Sequence, residues 1–130
     1  MGARGEAEVV DQAQHDRRID YIEIPVLEVA RAREFYQTLF GWKFTDYGPD
    51  YSSFEDGRIA GGLRLEATHP GNGVLVVLYA VDLEAMVPRV GAAGGRIVRE
   101  IFDFPGGRRF HLMDPEGNEL AIWTDQPATP

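Results

Sequence analysis

Apolar and polar positions change period several times along the chain, and those changes divide it into elements. IDYIEIPV (19–26) alternates with period two and predicts a strand. In LEVARAREFYQTLF (27–40) the apolar positions Ala32, Phe35, Tyr36, Leu39 and Phe40 fall at helical spacing, and Gly41 suits the position just past a helix. WKFTDYG (42–48), YSSFEDG (51–57) and RIAGGLRLEA (58–67) return to strand-like patterns, with Gly61 and Gly62 marking a bulge or a close backbone approach. THPGNG (68–73) reads as a hinge loop. VLVVLYAV (74–81) is an apolar strand, and Asp82 is suited to cap the helix LEAMVPRVGAA (83–93). Pro88 there predicts a late start or a distortion. RIVREIFDF (96–104), RRFHLMD (108–114) and ELAIW (119–123) complete the series, the last entered through the turn DPEGN.

The order is strand, helix, three strands, and then the same again. The segment from Val26 to Phe44 corresponds in spacing to that from Val81 to Val98, a structural duplication without strong sequence identity. The expected organisation is a polar, disordered tail over 1–17 and a single domain over 18–126, with modules at about 18–67 and 74–124. His15 falls in that tail, and His69 in the hinge loop is expected to be exposed.

Composition narrows the chemistry. With 130 residues, 44% hydrophobic, the chain can bury a core. It has no cysteine, which removes disulfides, thiolate metal sites and cysteine nucleophiles, and fits a cytoplasmic location. A net charge of −8 opposes binding to nucleic acid or an anionic membrane, and no run is long enough to span a bilayer. Neither a dinucleotide fingerprint, a Walker motif, HExxH nor GxSxG is present.

YIEIPVLEVARAREFYQTLFGWKF in the first half, with YAVDLEAMVPRVGAAGGRIV and DPEGNELAIW in the second, resembles the vicinal oxygen chelate superfamily of glyoxalases, extradiol dioxygenases and bleomycin-resistance proteins. The resemblance implies an α+β fold, two βαβββ modules forming a curved, partly open sheet around a cleft. It also implies metal ligands on four strands. At those positions this chain has Tyr21, a residue within Gly62 to Arg64, Val76 (six residues before Asp82) and Ala121, where a glutamate is usual. None of these offers a hard cation the oxygen or imidazole ligands it needs, so neither metal nor other cofactor is expected.

Strand parity then names what shares the cleft face: Tyr21 and Glu23 on the first strand, Arg64 on the fourth, Arg109 and His111 on the penultimate, Trp123 on the last. Such a mixed aromatic and charged set suits a small organic ligand, aromatic or cationic, bound without metal as the bleomycin-resistance branch of the resemblance implies. The alternative is a glyoxalase-like lyase, isomerase or dioxygenase, with Glu23 and His111 as metal-independent base and acid. A third reading is a partner-binding module with a vestigial cleft. An ion pair with Arg64 or Arg109 is the ordinary fate of a carboxylate such as Glu23. Phe102 and Phe104 could act as a lid or simply pack. The partners expected are a small molecule and, from the resemblance, a second copy in a homodimer.

Overall fold

The computed structural model describes residues 12–66 and 73–128. Its elements are a 3-10 turn (Gln12–His15), β1 (Arg18–Val26), α1 (Val29–Phe40), β2 (Lys43–Asp46), β3 (Tyr51–Glu55) and β4 (Ala60–Leu65), then β5 (Leu75–Tyr79), α2 (Leu83–Ala92), β6 (Arg96–Phe104), β7 (Gly107–Met113) and β8 (Glu119–Thr124). The fold is α+β and the βαβββ order occurs twice, as the spacing predicts. Two compact units are formed, one by residues 21–66 and 73–75, the other by residues 12–20 and 76–128. No described helix is long and apolar enough to cross a membrane.

The two units repeat one topology. In the first, the strand order is β2-β3-β4-β1, with β2–β3 and β3–β4 antiparallel and β4–β1 parallel. In the second it is β6-β7-β8-β5, again two antiparallel pairs followed by a parallel one. In each case a helix supplies the crossover that a parallel pair requires.

α1 ends where Gly41 takes up the left-handed conformation, φ 76°, and gives its N–H to Gln37. The helix buries a narrow stripe. Val29, Ala32 and Tyr36 pack on a core of Phe54 and Leu63 with Ile22, Ile24 and Val26. Phe35, Leu39 and Phe40 lie off that stripe and are each more than half exposed. Around Tyr36 the rings of Trp42, Phe40 and Phe54 stack in series. Gly61 and Gly62 sit in regular register on both sides, so they mark a close approach and not a bulge. A Cβ at Gly61 would lie 2.4 Å from the Phe54 ring.

α2 starts at Leu83 with the Asp82 carboxylate accepting from the N–H of Ala85. The helix therefore does not start late. Pro88 lies inside it and, lacking an N–H, cannot bond the carbonyl of Glu84. Leu83 and Val90 pack on Phe110, Leu112 and Ile122 of β7 and β8. Parity sends Arg109, His111, Glu119, Ala121 and Trp123 to the opposite face of this sheet.

Residues 12–17, expected in the polar tail, are structured. The N–H of Arg17 donates to the carbonyl of Tyr79 at 2.6 Å, and Asp16 accepts from the N–H of Val81 at 2.8 Å. The sequence reads this segment as a tail because Ala13 is its one apolar residue; backbone and carboxylate bonds to the end of β5 hold it instead. Residues 1–11 and most of the hinge loop, His69 included, lie outside the described residues.

Candidate functional site

In the first unit, Tyr21, Glu23 and Arg64 share the sheet face turned away from α1, and the structure joins them through a residue the sequence reading missed. Tyr51 of β3 donates to Glu23 at 2.9 Å and lies 2.7 Å from the hydroxyl of Tyr21. Arg64 pairs with Glu23 at 3.4 Å and also with Glu66. Glu23 is 4% exposed, so its charge is tolerated because these partners meet it. Burial first, and the neighbouring Glu23 and Tyr21 next, raise the Tyr51 hydroxyl far above the ordinary tyrosine value; it stays protonated and acts as a donor. Gly62 makes room for it, since a Cβ there would come within 1.9 Å of the Tyr51 hydroxyl.

In the second unit, Arg109, His111 and Trp123 share the face turned away from α2. His111 is 7% exposed. Its Nδ1 lies 2.8 Å from the carboxylate of Glu119, across the β7–β8 hairpin. Its Nε2 is buried and has no hydrogen-bond partner among the described residues. Burial chiefly, with repulsion from Arg109 and Arg99, lowers the imidazole below its ordinary 6.5, although Glu119 pulls the other way. The ring is therefore neutral at physiological pH. Nδ1–H donates to Glu119, which leaves a lone pair on Nε2.

Aromatic rings lie beside this dyad. The Phe102 ring centroid is 5.8 Å from that of His111, and Arg99 and Arg109 both lie over Phe102. Arg109 also lies over Phe104, whose ring is 6.2 Å from that of Trp123. Trp123 meets Tyr79 edge to face, and its indole N–H donates to the buried Asp20 at 3.0 Å. Phe102 and Phe104 lie within strand β6, paired with Arg109 and Gly107 of β7, so the lid reading fails; they are wall residues of the same face. His111 sits opposite Ala121, and this is why a small residue is found there: the imidazole covers a fully buried methyl.

The positions where the resemblance places metal ligands can be tested directly. Val76 is a misplacement. It pairs with Leu120 on the α2 side, whereas Val77 is the residue level with Ala121. The error arises because counting back from Asp82 cannot resolve one residue of register, and one residue changes the face. Tyr21, Gly62, Val77 and Ala121 bring no carboxylate or imidazole, and the Tyr51 hydroxyl fills the space a longer side chain at position 62 would need. Among the described residues no group of three His, Asp or Glu is placed to hold a metal ion. The residues present do not fit the superfamily's metal.

Alternation along ELAIW puts Glu119 on the face of Ala121 and Trp123, and hairpin register, set by the turn at 114–118, brings it to His111. Three residues escape sequence reasoning. Tyr51 and Asp20 each reach their partner through non-local pairing, and Arg99 depends on the irregularity in β6.

Comparisons with known proteins agree with this architecture. The chain is 31% identical over 110 residues to the anthracycline biosynthesis protein DnrV of Streptomyces peucetius, covering 80% of this chain and 40% of that relative. It thus spans about two fifths of that relative's length. A glyoxalase/bleomycin resistance protein/dioxygenase superfamily member from Vibrio splendidus 12B01 superposes with a TM-score of 0.66 at 17% identity, over 84% of this chain and 99% of that one. Methylmalonyl-CoA epimerase from Mycobacterium tuberculosis superposes with a TM-score of 0.67 at 17% identity, over 84% and 88%. These likenesses are of fold. The model of the Glyoxalase/Bleomycin resistance protein/Dioxygenase superfamily matches residues 18–122, and the chain belongs to that superfamily.

Proposed function

We propose that this chain binds a small aromatic molecule, without a metal, on the face of β6, β7 and β8 that carries His111. The observation that supports this most is the buried Nε2 of His111, unbonded among the described residues while Nδ1 is fixed by Glu119. An unsatisfied buried acceptor costs roughly 1–3 kcal/mol, and a ligand donor recovers that. The surrounding rings of Phe102, Phe104 and Trp123 suit a flat ligand. The 31% identity to a protein of anthracycline biosynthesis is consistent with a fused-ring ligand. Arg99 and Arg109 on the same face weigh against the cationic ligand named as one option from the cleft residues.

A second reading has one observation in its favour. A carboxylate on Nδ1 with a free lone pair on Nε2 is the arrangement of a general base, so His111 could abstract a proton from a bound molecule. Glu23 supports that reading less, because Tyr51 and Arg64 already engage its carboxylate.

The test is a thermal-shift and calorimetric screen of planar aromatic molecules against wild type and His111→Gln, with elemental analysis of the same metal-free preparation. Binding that is lost in the variant supports the proposal. Binding that is indifferent to His111, or stoichiometric metal that it requires, overturns it.

A further inference from the structure

We infer that the ligand is a planar molecule bearing an acidic hydroxyl, a phenol or enol, which takes the place of the Phe102 ring and gives its proton to Nε2 of His111. This rests on the binding reading above and names the chemical class.

The strand β6 is irregular where it faces His111. Arg99 pairs with His111 and Phe102 with Arg109, so three steps on β6 match two on β7. A second shift falls between Ile97 and Arg99. Bulges of this kind re-aim side chains, and here they bring Arg99 and Phe102, which strict alternation would separate, to one face.

As a result the Phe102 ring is held among charged and polar groups. The guanidinium carbon of Arg99 lies 3.6 Å from its centroid, that of Arg109 5.6 Å, and the His111 ring 5.8 Å away at a tilt of 33°. The chain thus keeps one of its own aromatic rings where an aromatic ligand would be held. That ring satisfies the guanidinium groups through their attraction to its face. It has no hydroxyl, so it leaves Nε2 with nothing to accept.

A phenol or enol in the same place serves both. Its O–H points at Nε2; the O–H bond breaks, the Nε2–H bond forms, and both electrons of the broken bond stay on oxygen. The oxyanion then faces Arg99 and Arg109, and the imidazolium faces Glu119 through Nδ1. These are the charged groups that surround His111 from β6, β7 and β8. A neutral ring without the hydroxyl gains only the stacking. An aromatic cation meets two guanidinium groups.

The experiment titrates 4-nitrophenol, whose ionisation is visible, and nitrobenzene, its non-ionisable counterpart, onto wild type and the variants Phe102→Ala, Arg99→Gln and His111→Gln. For wild type, 4-nitrophenol binds about tenfold more tightly than nitrobenzene, and its pKa when bound falls by about one unit, as expected for an anion beside guanidinium groups. Phe102→Ala tightens both probes by removing the competing ring. Arg99→Gln shrinks the pKa fall and weakens 4-nitrophenol by a larger factor than nitrobenzene, and His111→Gln, which removes the proton acceptor, cuts the preference for 4-nitrophenol over nitrobenzene. If nitrobenzene binds and 4-nitrophenol binds no better and shows no fall, the hydroxyl class is wrong while the binding reading stands. If neither probe binds wild type or Phe102→Ala, both fail.

Discussion

His111 and Glu119 face each other across a hairpin, Nδ1 to carboxylate at 2.8 Å, eight residues apart in sequence and diagonal on adjacent strands. The pair fixes the imidazole's orientation and tautomer before any ligand arrives. Glu119→Gln keeps the shape but removes the charge. The expected outcome is a histidine whose pKa falls further and a ligand that binds at least several-fold more weakly, read by imidazole NMR and calorimetry. Unchanged affinity would mean that the charge of Glu119 has no part in binding.

Stability should depend on pH through the same residue. The folded-state pKa of His111 is lowered, mainly by burial, so the unfolded chain takes up the proton first as pH falls. The stability this imidazole contributes is full above its ordinary value of 6.5 and declines as pH drops through and below that value. Urea midpoints between pH 8 and pH 5 should therefore fall more steeply for wild type than for His111→Gln. Parallel profiles would contradict the assignment.

Gly62 and Tyr51 form a coupled pair. Gly62→Ala drives a methyl into the Tyr51 hydroxyl and ring, both nearer than 2.4 Å to that Cβ, and should cost roughly 2–3 kcal/mol by denaturant unfolding. Combining it with Tyr51→Ala removes the clash, so the double variant should lose less than the sum of the singles. Strict additivity would show that the contact carries no energy.

Much of the fold could be read from pattern alone. β6 occupies the span the apolar pattern predicts, and the duplication is visible because both helices are followed by three strands. Parity also placed Tyr21, Glu23, Arg64, Arg109, His111 and Trp123 on faces away from the helices, since alternation within a strand is local. Register between strands is not local, so counting along the chain points to Val76 where Val77 stands beside Ala121. The stripe on α1 was drawn too wide because periodicity marks a face without saying how much of it the sheet covers. Tyr51 and Asp20 were silent because a hydrogen bond spanning 28 or 103 residues leaves no trace in spacing.

Trp123 offers a check on one of those distant bonds. Its indole N–H donates to Asp20 at 3.0 Å, a charge-assisted bond in a part-buried setting. Trp123→Phe keeps the ring and loses the donor, and should destabilise the chain by about 1.5–3 kcal/mol. Tryptophan fluorescence cannot follow this variant cleanly, so far-ultraviolet circular dichroism during urea unfolding is the readout. A loss below about 0.5 kcal/mol would show that Asp20 is satisfied without the indole.

The central claim is that Nε2 of His111 is the acceptor a bound aromatic molecule uses. The most direct measurement is imidazole nitrogen NMR on metal-free, isotope-labelled protein during titration with a planar phenol. The account predicts that the Nε2 resonance of His111, assigned by its loss in His111→Gln, moves from the position of an unbonded lone pair towards that of a hydrogen-bonded or protonated nitrogen, saturating with binding. A ligand that binds to saturation while that resonance stays in place would contradict it.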